Sequence, residues 1–235
     1  MKSLKLRSVD GKEVISFSSK IHPKDIGQGQ HGRVFRLFSA EEARFLERGV
    51  EEHHVPSVIL KVYHPENPER RYPDGFTQFY ANSVIFNWLK KQPAEKFIIR
   101  PLHTYFVSER VLVRKFINAP TFEEARIALV GIQKKEIPLS KALSNKQIHR
   151  FLESNKIDLG ELDRADRELN DLIYEGGKKN YGVNIPIKAD AIWRNFFLLG
   201  KAPNGKLLVS VIDQGKELIP NLPDLIRRDQ LFPAR

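Results

Sequence analysis

The chain of 235 residues carries a formal net charge of +10, with 41% hydrophobic, 29% charged and 10% aromatic residues, a composition that supports a buried core and excludes the low-hydrophobicity signature of disorder. It has no cysteine, which rules out disulfides, thiolate metal sites and cysteine nucleophiles. No apolar run is long enough to span a bilayer, and none follows the basic start at Lys2, Lys5, Arg7 and Lys12, so neither a membrane anchor nor a secretory signal is expected.

In chain order, residues 4–9 and 13–17 flank Asp10-Gly11, a pair that readily takes the positive φ angles of a tight primed turn, and predict a β-hairpin. Strands are expected around Ile26 and over 33–38, with glycines between them, then a charged helical insert over 40–51 and a strand over 58–63. After a polar loop, Phe76, Tyr80, Val84 and Trp88 recur every fourth position with Ile85 and Leu89 beside them, the stripe of an amphipathic helix that should pack on the sheet. Two further strands follow at 105–107 and 111–116. Beyond Asn118-Ala119-Pro120 the pattern becomes helical, at 122–130, 145–154 and 159–174, the last ended by Gly176-Gly177. A short β pair returns at 195–199 and 207–212 around Pro203-Asn204-Gly205. The reading is α+β, with a β-rich part over 1–117 and a mainly helical part over 118–235.

Four segments carry candidate chemistry. Gly27-Gln28-Gly29-Gln30-His31-Gly32-Arg33-Val34 fits G-x-G-x-x-G-x-V, in which residues without Cβ let backbone amides approach phosphate oxygens. A dinucleotide-binding turn would need a helix directly after the third glycine, whereas 34–38 predicts a strand. No G-x-x-x-x-G-K-[ST] occurs. Lys61 interrupts the apolar run Val58-Ile59-Leu60-Lys61-Val62-Tyr63; a buried ammonium there requires an anionic partner, while on the exposed face of an edge strand it requires none. Asp190 and Asn195 stand with four residues between them, a carboxylate able to orient a hydroxyl and an amide oxygen able to ligate Mg²⁺. Finally, an apolar strand runs into Asp213-Gln214-Gly215. Each segment is common alone; together they fall in the order a kinase requires.

On these residues the chain resembles the protein-kinase-like superfamily. The resemblance implies a two-lobed fold, with an antiparallel β N-lobe bearing one long helix and a reduced, mainly helical C-lobe. It implies that Gly27, Gln28, Gly29, Gln30, His31, Gly32 and Val34 cover ATP and that Lys61 holds its phosphates. Backbone groups from Lys115 to Ile117 would meet the adenine, Asp190 would orient the acceptor hydroxyl, and Asn195 with Asp213 would bind Mg²⁺ or Mn²⁺. Departures accompany it. Lys188-Ala189 replaces the His-Arg of the catalytic loop, Ile192 stands where a lysine is expected, with Arg194 or Lys188 as substitutes, and the helix over 76–90 has no glutamate for Lys61. Gln78, Asn82, Glu66 or Glu69 would fill that last role.

The 20 residues after Gly215 are too few for an activation segment, which resembles the minimal kinases injected by bacterial pathogens and the YrbL-type bacterial kinase-like proteins. The implied activity is transfer of the γ-phosphate to a Ser/Thr hydroxyl of a protein. The alternatives are a pseudokinase that acts as a binding module, or transfer of AMP or phosphate to a lipid or small molecule. An activating partner is compatible with the reading. The cytoplasm is the expected compartment, with delivery into a host cell as the alternative. The positive charge attracts polyanions, but its lysines and arginines are scattered, so a solvated basic surface is expected rather than a nucleic-acid groove.

Overall fold

In the computed structural model, the described residues are 3–12, 14–18, 21–29, 32–48, 57–64, 74–131, 143–181 and 195–212. The chain opens in the expected hairpin: β1 (Ser3–Arg7) pairs antiparallel with β2 (Val14–Ser18), Leu6 opposite Ile15. The connection is longer than a primed turn. Arg7 pairs with Val14, and the Gly11 N–H donates to Ser8 O at 2.8 Å. Among the described residues there, only Gly11, at φ 72°, has a positive φ, because the Ser8 hydroxyl and the Lys12 N–H both donate to the Asp10 carboxylate and hold an Asx-type turn instead.

Five strands form one antiparallel sheet in the order β3 (Ile21–Gly29), β4 (Gly32–Ser39), β5 (Val58–Tyr63), β8 (Val111–Lys115) and β7 (Thr104–Val107). Helix α1 (Ala40–Glu47) follows β4. Register fixes the two faces, since residues opposite one another across antiparallel strands project to the same side. Phe35, Leu60 and Val113 form one row, and Leu37, Val58 and Lys115 the next. This face carries a buried cluster of Leu37, Val58, Tyr105 and Val113, with Leu6 from β1 packed against it. The other face carries Val34, Lys61 and Leu112 in one row and Arg36, Ile59 and Arg114 in the next.

A second sheet has three strands in the order β6 (Phe97–Ile99), β10 (Leu207–Val211) and β9 (Phe196–Lys201). The β9–β10 pair is the predicted one. Strand β6 was not expected, and it runs parallel to β10 with Phe97 opposite Leu207. Helices accompany this sheet in the same unit. Thr121 and Glu124 form a reciprocal capping box that starts α3 (Phe122–Val130), and Ser144 with Gln147 does the same for α4 (Asn145–Ser154). Helix α5 (Leu159–Tyr181) buries Leu162, Ala165, Leu169 and Ile173 along one face. It runs through Gly176-Gly177 rather than ending there. Each internal glycine costs a helix about 1 kcal/mol, and propagation from a packed stripe offsets that cost more easily than a new nucleus would.

Contacts divide the chain into two units, Met1–Phe76 with Leu102–Asn118 and Ser140–Leu143, and Thr77–Pro101 with Ala119–Leu139 and Ser144–Arg235. The amphipathic helix α2 (Asp74–Lys90) belongs to the second unit from Thr77 onward. Its last turn is fixed there, where Trp88 Nε1 donates to Leu172 O of α5 at 2.9 Å. Just beyond, the Glu168 carboxylate accepts the backbone N–H groups of Glu95 and Lys96, each at 2.7 Å. The C-terminal end of α2 is thus tied to α5. Among the described residues no helix is long and apolar enough to cross a membrane.

Candidate functional site

In the first unit the glycine-rich segment forms the end of the β3–β4 ladder. Gly27 pairs with Val34, Gln28 with Arg33 and Gly29 with Gly32. A strand therefore follows the third glycine, as a glycine hairpin requires and a dinucleotide-binding turn does not. Gly32 is fixed by the neighbouring strand as well: a Cβ there would lie 2.2 Å from Val62 O and 2.9 Å from Tyr63 Cα. The ladder is braced at its side by an ion pair between Arg33 and Asp25, both half exposed.

Lys61 lies directly opposite Val34, in the third of five strands. It is 7% exposed, with Nζ 5.1 Å from the centre of the Tyr63 ring. An exposed position on an edge strand is thus excluded. An ammonium buried this far is stable only where negative groups or dipoles face it, and phosphate oxygens are such groups.

On the opposite side of β5, Lys61 pairs with Leu112 of β8, whose end leads into residues 115–117. The Lys115 N–H donates to His103 O at 2.9 Å and the Phe116 N–H to Ser57 O at 3.2 Å. Ile117 is half-buried, and among the described residues its backbone N–H and C=O have no hydrogen-bond partner. One donor and one acceptor on a half-buried main chain are what an adenine edge can pair with.

In the second unit Asn195 stands at the open end of the β9–β10 hairpin, where its C=O accepts the Ile212 N–H at 2.8 Å. The hairpin is rigid there: Phe196 and Leu198 are fully buried, Phe196 meets Phe122 edge-on with ring centres 5.9 Å apart, and Leu198 N–H donates to Pro120 O at 2.8 Å. Asn195 is half-buried.

Neither a protein-family model nor a curated protein matches the chain.

Gly27, Gln28, Gly29, Gly32, Val34, Lys61 and Lys115 thus lie in one sheet, with Phe116 and Ile117 directly after its strand β8. Asn195 belongs to the other unit. Gln30, His31, Asp190 and Asp213 lie outside the described residues, as do Glu66, Glu69, Lys188, Ile192, Arg194, Gln214 and Gly215. Gln78 and Asn82 are half-buried on α2. Sequence reasoning passed over Arg36 and Arg114, both buried in the row next to Lys61. The signal was available: Arg36 interrupts Val34-Phe35-Arg36-Leu37-Phe38 as Lys61 interrupts its own strand, with the parity that puts it beside Val34.

Proposed function

We propose that this protein is an ATP-dependent phosphotransferase of protein-kinase-like, two-lobed design, transferring a γ-phosphate to a hydroxyl, with a Ser/Thr side chain of a protein as the acceptor. The observation that carries the reading is the row Val34–Lys61–Leu112. A buried lysine stands beside the strand that leaves a glycine hairpin and the strand that leads to Ile117, whose main-chain donor and acceptor have no partner among the described residues. In this reading the glycines let main-chain amides meet the phosphates, Lys61 offsets their charge and the 115–117 backbone pairs with the base.

The donor set at the other end of the reaction fits a hard divalent cation. Asn195 offers a neutral amide oxygen and Asp213 a carboxylate, both suited to Mg²⁺ or Mn²⁺. Asp213 directly follows Ile212, whose N–H donates to the Asn195 C=O. When bound, such an ion neutralises charge on the phosphates. Asp190 orients the acceptor hydroxyl, and catalysis rests on positioning and charge stabilisation.

The test is incubation of the wild type, Lys61→Ala and Asp213→Ala with γ-labelled ATP, Mg²⁺ or Mn²⁺ and a lysate. Label should pass to protein with the wild type and fall by more than 10²-fold with either variant. Transfer that survives in both variants would refute the reading. Binding without transfer would point to a pseudokinase, which the Lys188-Ala189 departure and the lack of a helix glutamate favour. Label that follows α- rather than γ-labelled ATP would point to nucleotidyl transfer.

A further inference from the structure

Arg36 is the largest side chain in the fully buried set, at 1% exposure, and the motif reading gives it no work. Its guanidinium carbon lies over both the Phe38 ring, 4.7 Å from its centre, and the Phe116 ring, 3.7 Å from its centre. Its Nε donates to Ser57 Oγ at 2.6 Å. Ser57 in turn accepts the Phe116 N–H on its backbone oxygen. Three separate stretches of chain therefore meet at this guanidinium: the strand leaving the glycine hairpin, the start of the lysine strand, and the segment that carries Ile117. A planar cation stacked on Phe116 fixes the orientation of that residue, and with it the main chain one position further on.

We infer that Arg36 is a positioning residue for nucleobase recognition, holding the 116–117 main chain in the conformation that pairs with adenine. The inference rests on the nucleotide reading of this sheet. It separates Arg36 from Lys61 by the part of the ligand each serves, since Arg36 acts through the base segment and Lys61 on the phosphates.

The experiment compares affinity for ATP with affinity for inorganic triphosphate, by calorimetry, in the full chain as wild type, Arg36→Met, Arg36→Lys and Ser57→Ala. Arg36→Met should weaken ATP about tenfold and leave triphosphate within twofold, raising KM for ATP with little change in kcat. Arg36→Lys, which keeps the charge but loses the planar stack, should restore little. Ser57→Ala removes one hydrogen bond and keeps the stack, so it remains informative if Arg36→Met fails to fold, and it should shift the same ratio in the same direction. An unchanged ATP-to-triphosphate ratio in Arg36→Met and Ser57→Ala would overturn the inference while leaving the nucleotide reading intact. A wild type that binds neither ATP nor triphosphate would overturn both.

Discussion

Replacing Gly32 by alanine separates two demands that a glycine motif confounds, close approach to a ligand and close approach to the protein's own backbone. The added Cβ would stand 2.2 Å from Val62 O and 2.9 Å from Tyr63 Cα, against ordinary contacts of 3.4 Å or more. Both atoms are main chain in the central strand, so relief requires the β4 and β5 backbones to part rather than a side chain to turn. Overpacking of this kind costs about 1–3 kcal/mol, and at this chain length each kcal/mol lowers Tm by about 2–4 °C. The expected outcome is a fall of roughly 2–12 °C in the ligand-free protein, followed by circular dichroism. Gly160→Ala is the control. It lies near the start of α5, where the new Cβ meets side-chain atoms of Arg164 and Asp158 at 3.3 Å and no main chain within 4 Å, and alanine is the better helix former. That variant should melt at or above the wild-type temperature. If ligand-free Gly32→Ala melts with the wild type, the argument from backbone contact fails, and Gly32 is then a ligand requirement alone.

Three further outcomes follow from the packing. Leu198→Ala, in a fully buried position of β9, should destabilise the second unit by about 2–5 kcal/mol in urea titrations, and a smaller loss would mean the site collapses around the cavity. Glu168→Ala removes the acceptor of the exposed N–H groups of Glu95 and Lys96, each now 2.7 Å from its carboxylate; water replaces it, so the cost by the same measurement should be about 1 kcal/mol. The Asp10 carboxyl is held below its ordinary value, first by the Ser8 hydroxyl, whose effect outweighs the opposing one of burial, and then by the Lys12 N–H and the nearby His103 and Lys12. A folded-state pKa below the unfolded value of about 3.9 gives stability that is complete above that pH and lost as the pH falls through the folded value. Hydrogen-exchange protection of the Val9 amide, which donates to Thr104 O at 2.6 Å, should therefore decline in acid in the wild type. Corrected for intrinsic exchange rates, it should be nearly flat with pH in Asp10→Asn.

Local signals told most of the chain apart. The run Val58–Tyr63, the capping residues Thr121 and Ser144 and the turn at Pro203-Asn204-Gly205 were legible because each acts within a few residues of itself. What escaped depends on distant partners. Phe97-Ile98-Ile99 becomes a strand only because Val209 and its neighbours lie alongside, and a three-residue apolar run has no periodicity of its own to announce that. Helix α2 showed its apolar stripe but not which partner would cover it, since periodicity gives a face and not an address. For the candidate site, motif spacing singled out Lys61 and the glycines, while the contacts of Arg36 with Phe116 and Ser57, far off in sequence, leave no mark beyond the interruption of its own apolar strand. The turn at Asp10-Gly11 misled for a related reason, as the Asp10 side chain bonds Ser8 and Lys12 and selects a wider loop than the dipeptide alone favours.

The parallel pairing of β6 with β10 governs the order in which the protein can be built. Phe97 waits for Leu207 across roughly a hundred residues of chain, and β10 is the strand that joins β6 to β9. During synthesis the second sheet therefore has no middle until β10 has left the ribosome, whereas the β3–β4–β5–β8–β7 sheet can form once residue 115 is free. The segment Phe97–Ile99 is an unpaired strand edge throughout that interval, and premature termination before β10 would leave it so, making shortened chains the species most prone to aggregate.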